Sequence, residues 1–148
     1  MLCSQKANHN EKLDEIAKLL LDKGANPNFN DQNGNTPLHQ TIMYQNIDVF
    51  KVLISNKSIQ LDKQNKDGIN AFGLCLERFQ TKNSVIYRKL ADLLIENGSD
   101  VNILNDKTGD TLLHLACKNK NEDAGEYLIK QNSIIDQYNL DGEEVRMR

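Results

Sequence analysis

Two short sequence patterns recur along this chain of 148 residues. The first reads NGNTPLH at residues 33–39 and TGDTLLH at 108–114, with a weaker copy, DGINAFG, at 67–73. The second reads LLLDKGANPN at residues 19–28 and LLIENGSDVN at 93–102. Recurrence with a period of roughly 20–50 residues is typical of proteins built from stacked repeats, so this feature constrains the fold more than any other.

The distances between the copies reveal one insertion. Gly34 and Gly68 are 34 residues apart, and Gly109 and Gly142, in a fourth copy, are 33 apart. Gly68 and Gly109 are instead 41 apart. The extra residues fall mainly in 77–86, between two predicted helices. We expect them to lengthen these helices without interrupting the stack.

Each period carries the signals for two short helices. Thr36 followed by Pro37 predicts a helix start, because the hydroxyl can accept a first-turn N–H and proline lacks a donor that would be unpaired there. Apolar residues recur at helical spacing in 47–54. Gly24 and Gly98 can adopt the left-handed conformation that closes a helix. The predicted order is helix, turn, helix and hairpin finger, a unit that becomes stable only when neighbours stack on it.

The chain has the length of a single domain, predicted as one array over residues 1–148. We divide it into a partial repeat (1–30), a first repeat (31–62), a middle repeat with a helix insertion (63–102), a third repeat (103–136) and the start of a truncated or capping repeat (137–148). Residues 1–6 fit the tail of a first helix. We therefore expect either an excised segment of a longer array or polar half-repeats that serve as caps.

These motifs resemble the ankyrin repeat family over nearly the whole chain, through the start at 36–39 and the end at 93–102. The resemblance implies an all-α ankyrin-repeat solenoid of helix-turn-helix units joined by β-hairpin fingers. It also implies that the concave side, made by the fingers and the first helix of each repeat, binds protein partners. The middle repeat departs from the family, with NAFG at 70–73 in place of Thr-Pro-Leu-His. Its helix start and its hydrogen bonding to the next repeat are therefore in question.

Carried over position by position, the resemblance assigns partner contacts to the fingers and to the ends of the first helices. The finger residues are Gln32, Asn33, Asn35, Lys66, Asp67, Ile69, Lys107, Thr108 and Asp110. The first-helix residues are Met43, Tyr44, Glu77, Arg78, Lys118 and Asn119. We expect Tyr44 with Met43 to be the energetic centre, because aromatic anchors contribute disproportionately to binding. The alternative is that the tyrosine packs against a neighbouring helix.

Two further features carry alternative interpretations. The basic and aromatic residues of 77–89 could form a second binding patch, or Phe79 and Tyr87 could pack the longer helices together, which we favour. Asn102 is similar to the ankyrin asparagine that an asparaginyl hydroxylase modifies in animal cells, and it is a possible hydroxylation site. The stronger interpretation is that its side chain fixes the turn by hydrogen bonds to the backbone.

We predict no catalytic, cofactor-binding or metal-binding residue. His39 and His114 occupy the same place in two copies, and in ankyrin repeats this imidazole ties the turn of one repeat to its neighbour. The eight glycines are single and form no phosphate-binding loop. No acid, base and nucleophile share a recurring spacing.

The charge and cysteine content exclude several classes of partner. The chain has 18 basic and 21 acidic residues, a net charge of −3, and no single-sign field that would attract nucleic acid or an anionic membrane. Its three cysteines form no CxxC pair, which favours reduced thiols and a cytoplasmic location. No run approaches the roughly 18 apolar residues that membrane insertion needs. The oligomeric state is not indicated.

The sequence therefore predicts a non-catalytic protein interaction module, acting as adaptor, scaffold or targeting segment, with a protein partner that it does not name. One alternative is the regulatory or substrate-docking arm of a larger enzyme or of an endosomal membrane-associated protein, whose ankyrin arrays residues 58–68 faintly resemble. Another is a microbial effector, of asparagine-rich composition, that acts on host proteins.

Overall fold

The computed structural model describes residues 7–131 as seven α-helices joined by tight turns. A single helix, α1 (Ala7–Asp22), stands before three helix pairs. The pairs are α2 (Pro37–Met43) with α3 (Ile47–Ser55), α4 (Ala71–Glu77) with α5 (Ser84–Glu96), and α6 (Leu112–Lys118) with α7 (Glu122–Lys130). The predicted all-α class is confirmed. The helix tail predicted in 1–6 and the repeat predicted to start at 137 lie outside the described residues.

Side chains just before each first helix cap its exposed backbone N–H groups. The Thr36 hydroxyl accepts the His39 N–H, and the His39 imidazole accepts the Thr36 N–H in return. Thr111 and His114 repeat this reciprocal pair at α6. In the middle repeat the Asn70 side chain accepts the Gly73 N–H at 2.8 Å. An asparagine thus supplies the helix start that the missing threonine left in question.

The turn inside each helix pair differs between the regular repeats and the middle one. In the first and third repeats a single residue in the left-handed region reverses the chain, Gln45 with φ 55° and Lys120 with φ 53°. In the middle repeat the longer segment 78–83 joins the two helices. α4 has seven residues, as α2 and α6 have, whereas α5 has 13 and its counterparts nine. The expectation that the insertion lengthens both helices is therefore wrong for the first helix.

The helix pairs stack side by side around one continuous core. Each first helix packs on its own second helix, α2 also packs on α4, α4 on α6, and α1 on α3. Fully buried side chains run the length of this row: Leu38, Ile42, Phe50, Phe72, Leu90, Leu94, Leu113 and Leu128. Because each pair is covered by its neighbours, the array buries an apolar surface that no pair could bury alone.

The fingers between repeats are tight turns closed by a short hairpin bond. The Asp31 N–H donates to the Asn35 carbonyl, and the Asn65 N–H donates to the Ile69 carbonyl, each at 3.0 Å. Within residues 7–131 the ladder pairing amounts to one isolated antiparallel bridge, between Leu104 and Thr111. The fingers therefore have hairpin topology without extended strands.

Candidate interaction surface

The shape of each finger is set by one Asp or Asn side chain at its start. Asp31 accepts the N–H groups of Asn33 and Asn35 at 2.8 and 2.9 Å. Asn65 and Asn105 accept the corresponding N–H groups of their own fingers. Desolvation alone would raise the pKa of Asp31, but the donated N–H groups hold this pKa below its ordinary value. The finger tips are thus preorganised by hydrogen bonds within the chain.

Successive fingers lie close enough that two glycines are required. Gly34 and Gly68 both have φ of 76°, in the left-handed region. A Cβ at Gly34 would lie 2.8 Å from the backbone nitrogen of Lys66, and one at Gly68 would lie 2.1 Å from the Asn105 side-chain oxygen. These contacts leave no room for a side chain. The fingers are consequently fixed relative to one another.

Polar bonds between fingers reinforce this packing. The Lys66 N–H donates to the Asn33 carbonyl at 3.0 Å, and the Asn105 amide donates to the Asp67 carbonyl at 3.1 Å. Gln64, which the sequence analysis did not select, donates to the Leu104 carbonyl and accepts the Asp106 N–H. Each finger tip is thereby held at a defined distance from the next.

The exposed finger tips match most of the residues assigned from the sequence. Those exposed to solvent are Gln32, Asn33, Lys66, Asp67, Lys107 and Thr108. Asn35 and Ile69 are half-buried, and the Asn35 side-chain oxygen accepts the Asn65 amide. These two can offer a partner only part of their surface.

Asp110 is the assigned finger residue that the structure places out of reach. Its relative exposure is 3%, and its carboxylate accepts the Thr108 hydroxyl at 2.8 Å and the Lys118 ammonium at 3.1 Å. A contact between this carboxylate and a partner would have to break bonds within the chain. We therefore correct the assignment of Asp110 from a partner contact to a residue that positions Lys118.

The first-helix residues present one large exposed aromatic side chain. Tyr44, directly after α2, is 78% exposed, which overturns the alternative that it packs against a neighbouring helix. Met43 is half-buried and packs against the core beside it. Glu77, Lys118 and Asn119 are exposed. Tyr44 therefore stands at the edge of the surface as the largest accessible apolar group among the assigned residues.

Arg78 serves the fold as well as the surface. Its guanidinium lies 5.7 Å from the centroid of the Tyr87 ring and is half-buried. Beside it, desolvation raises the pKa of the Glu77 carboxyl, while Arg78 opposes this and Asp67 adds to it. The neighbouring Asp67 links a finger electrostatically to a first helix. The two sets of assigned residues thus share one surface.

An apolar groove on this surface was not predicted. Ile69 from a finger, Leu76 from α4, and Leu112 and Leu115 from α6 line it, with Glu77 and Asn119 among its polar lining residues. Gly73 forms part of the floor, since it contributes no side chain. The sequence signal was this glycine at the position that histidine takes in the other two repeats, which we read only as a lost hydrogen bond.

His39 has the structural role predicted for it. Its Nδ1 accepts the Thr36 N–H at 3.1 Å, so Nε2 carries the proton and donates to the Ile69 carbonyl of the next finger at 2.8 Å. Burial lowers the pKa of the imidazole, although the Ile69 carbonyl and Asp31 oppose the shift. Both ring nitrogens are thus engaged in joining repeats. His114 makes the same contacts with Thr111.

The insertion is packed rather than presented. Phe79 and Tyr87 are each 2% exposed, and the Phe79 ring meets the Tyr127 ring edge-on at 5.1 Å. Arg88 covers the other aromatic contact, 4.7 Å from the Phe79 centroid. The favoured interpretation of 77–89, that its aromatic residues pack the longer segment together, is confirmed.

Asn102 lies at a position whose equivalents bridge adjacent repeats. Its counterpart Asn28 donates to the Ser58 carbonyl and accepts the Gln60 N–H, both at 2.8 Å. Asn102 itself is half-buried, and its N–H donates to the Asp100 carboxylate at 2.9 Å. The position therefore has a structural role, and its hydroxylation stays a prediction.

Two searches of the described residues concern other kinds of site. In 7–131 no helix is long and apolar enough to span a bilayer. In the same residues no three or more His, Cys, Asp and Glu side chains are grouped so that they could hold a metal ion. Burial raises the pKa of the Cys75 thiol, which disfavours its reactive thiolate form.

Comparison with known proteins supports the family resemblance. A family model described as ankyrin repeats (3 copies) matches residues 1–87 and 82–145. Rabankyrin-5 of Homo sapiens is 30% identical over 145 residues, which cover 87% of this chain and 12% of that protein. The nuclear factor NF-kappa-B p105 subunit of Gallus gallus is 33% identical over 131 residues, covering 86% of this chain and 13% of that protein. The chain thus spans about an eighth of the length of these relatives.

The fold has a counterpart among solved structures. The ankyrin repeat domain of Bcl-3, a member of the IkappaB protein family, superimposes with a TM-score of 0.75 and 20% sequence identity. The match covers 90% of this chain and 57% of that one. The neurogenic locus notch homolog protein 1 of Homo sapiens is also similar, with 31% identity over 125 residues. Helix pairs, fingers and their stacking therefore agree with the sequence motifs.

Proposed function

The chain belongs to the ankyrin repeat family, and on that premise we propose that it binds a protein partner through its concave face without catalysing a reaction. We use "concave face" for the exposed finger tips, the ends of the first helices and the groove between α4 and α6. Proteins of this family are typically non-catalytic interaction modules, and the two histidines that invite a catalytic reading are both joined to Thr-capped turns.

The observation that carries the proposal is a rigid surface with accessible side chains. The backbone of the fingers is bonded internally, so the tips need little further ordering when a partner binds. Tyr44 is 78% exposed although it is a large aromatic residue. Aromatic side chains held on a rigid support are the commonest centres of binding energy. We therefore place Tyr44 at the edge of the contact and the groove at its middle.

The chemistry of the surface indicates the kind of partner. Lys66 and Lys107 stand beside Asp67 and Glu77, so the charge is mixed and no field of one sign covers the face. The groove offers apolar lining to a side chain of the partner. An apolar centre with a polar rim is typical of protein–protein contacts. We propose a folded protein or peptide with an apolar side chain for the groove, and neither nucleic acid nor a membrane as the ligand.

A wider role in a larger assembly is favoured by one comparison. The similarity to Rabankyrin-5 covers 87% of this chain but only 12% of that protein, so a comparable array occurs there within a longer polypeptide. We propose that the module acts as an adaptor or docking segment in the cytoplasm. The buried Cys75 thiol fits a reducing compartment.

Site-specific photocrosslinking tests the proposed contact face. A photoreactive phenylalanine analogue is placed at Tyr44 or at Lys107 in one set of variants, and at Val85 as a control. Val85 is 79% exposed and lies on a second helix. We expect the same partner to be crosslinked from positions 44 and 107 and not from 85. Crosslinks from position 85 alone would contradict the proposal.

The energetic role of the tyrosine is tested with the crosslinked partner. Tyr44→Ala should weaken binding roughly 30-fold, the equivalent of about 2 kcal/mol. The matched control is Val85→Ala, which removes a side chain of similar exposure elsewhere. Equal dissociation constants for the two variants would show that Tyr44 is no anchor.

A further inference from the structure

The outer side of α1 carries a stripe of exposed aliphatic residues, which we call the α1 stripe. Ile16, Leu19 and Leu20 have relative exposures of 50%, 56% and 54%. They are spaced three and four residues apart and so lie on one face of the helix. Single exposed aliphatic residues are ordinary, but three on one helix face form a contiguous apolar patch.

The repeat pattern shows what happens to the same positions elsewhere in the stack. Aligning LLLDKG at 19–24 with LLIENG at 93–98 makes Leu20 equivalent to Leu94 and Ile16 equivalent to Leu90. Leu94 and Leu90 are both fully buried, at 0% exposure. The α1 stripe therefore consists of positions that form core in a complete repeat.

A first helix accounts for the difference. In each complete pair the second helix packs against a first helix of seven residues: α3 against α2, α5 against α4, and α7 against α6. α1 corresponds to a second helix, because its end carries the second sequence pattern. It packs on α3, and no first helix accompanies it within residues 7–131.

We propose that the α1 stripe is a docking site for one short amphipathic helix of a partner protein, seated on α1 as α4 is seated on α5. The helices that take this place in the complete repeats show the chemistry required. Each presents large apolar side chains four residues apart, Leu38 with Ile42 in α2 and Phe72 with Leu76 in α4, all buried. This occupant continues the helix-pair packing that runs through the rest of the array.

The size of the stripe favours one docked helix over a second copy of this chain. Three half-exposed aliphatic side chains offer roughly 300 Å², so two copies pairing through the stripe alone would bury roughly 600 Å², well below the roughly 1,200–2,000 Å² of stable dimers. A helix from a partner needs no symmetric match and can add contacts of its own. The stripe is also separate from the concave face, so this proposal stands or falls independently of the proposed function.

A tethered helix tests the proposal in the full chain. A peptide with the sequence of residues 33–45, which contains α2, is joined by a flexible Gly-Ser linker ahead of Met1, so that its effective concentration is roughly millimolar. The matched control carries Leu38→Ser and Ile42→Ser within the added peptide only. We expect the apolar peptide to raise the melting temperature by several degrees and to protect the Leu20 methyl groups from a paramagnetic solvent probe. The control peptide should do neither.

Two variants locate the effect on α1. Leu20→Lys in the main chain should remove the gain from the apolar peptide, and Val85→Lys, at an isolated exposed residue on α5, should leave it intact. Equal melting temperatures with the two tethered peptides would overturn the proposal, as would a gain that survives Leu20→Lys. Sedimentation of the untethered chain is the last arm. A dimer that Leu20→Lys dissociates would overturn the proposal in favour of self-association, and a monomer supports it.

Discussion

The two junctions between complete repeats are built from different chemistry on the same scaffold. At the junction of the first and middle repeats, His39 reaches across to the Ile69 carbonyl, and the small Ala71 faces it from the next helix start. At the junction of the middle and third repeats the histidine position is Gly73, and the facing helix starts with Leu112. A Cβ at Gly73 would already lie 3.1 Å from Leu112 Cδ2. The leucine thus takes the space that an imidazole would need.

The difference shows that a stack can replace a polar bridge with apolar filling. The second junction gains an aromatic cluster of Phe72, Phe79 and Tyr127. It also gains a hydrogen bond from the Asn121 amide to the Leu76 carbonyl at 2.9 Å. Loss of one directional bond is therefore offset by packing and by another amide. The helix insertion contributes Phe79, so the departure in length and the departure in motif belong together.

Removing the aromatic filling should have the largest effect on the second junction. Phe79→Ala deletes a side chain that is 2% exposed, and we expect the free energy of unfolding to fall by about 3–5 kcal/mol. Urea denaturation followed by circular dichroism measures this change. Ile129→Ala, at a residue 45% exposed, is the control and should cost far less. A loss under about 1 kcal/mol for Phe79→Ala would show that the cluster is not structural.

Rebuilding the first junction at the second would sharpen the comparison. Gly73→His should destabilise the fold by about 1–3 kcal/mol, because the imidazole and Leu112 compete for one space. Leu112→Ala alone leaves a cavity. The double variant should lose less than the sum of the two, with a coupling of about 0.5–3 kcal/mol. A double-variant cycle from urea midpoints measures the coupling, and strict additivity would refute the exchange of sizes.

Breaking the polar bridge at the first junction should cost somewhat less. His39→Ala leaves the buried Thr36 N–H and the Ile69 carbonyl without their present partner, and we expect a loss of about 1–3 kcal/mol. Gly73→Ala is the matched change at the equivalent position of the second junction. If the His39 variant were no less stable than the wild type in the same denaturation assay, the bridge would have no role in stability.

The same bridge predicts a dependence on pH. Burial lowers the pKa of His39 below its ordinary value of 6.5, so the unfolded chain binds the proton more readily than the folded chain. The contribution of His39 is therefore fully present above pH 6.5 and is lost as the pH falls through its folded pKa. We expect the unfolding free energy of the wild type to fall more steeply over this window than that of His39→Asn. Identical slopes would contradict the shift.

The smallest effect on stability is expected on the concave face. Tyr44→Ala removes a ring that is 78% exposed, and the free energy of unfolding should change by no more than about 0.5 kcal/mol. Thermal melts of the two proteins measure it. A substantial loss would mean that the ring packs on the fold, and its loss could not then be read as a loss of partner contact.

The features repeated in the sequence were predicted well because each copy tests the others. The helix start at Thr36 and the junction role of His39 follow from a motif that recurs with the same spacing. The packing of Phe79 could be favoured because aromatic residues between two helices usually enter the core. Local patterns of this kind determine most of the helix pairs.

Features that depend on which residues meet across repeats were not predictable. The burial of Asp110 results from Lys118 folding back along its helix, eight residues later. The size exchange between Gly73 and Leu112 joins positions 39 residues apart whose contact only the stack creates. Tyr44 follows the last residue of α2, where helical phase no longer decides which way a side chain points. These three outcomes are tertiary properties.

The nesting of the fingers has a consequence for how such an array can evolve. Stacking there relies on main-chain atoms, on Gly34 and Gly68, and on a few amides, while the tips at Gln32 and Lys66 take no part in the bonds that hold the fingers together. Mutations at the tips can accumulate without eroding the architecture. A lineage can therefore exchange one binding specificity for another by drift at a handful of codons, and the scaffold need not be reinvented.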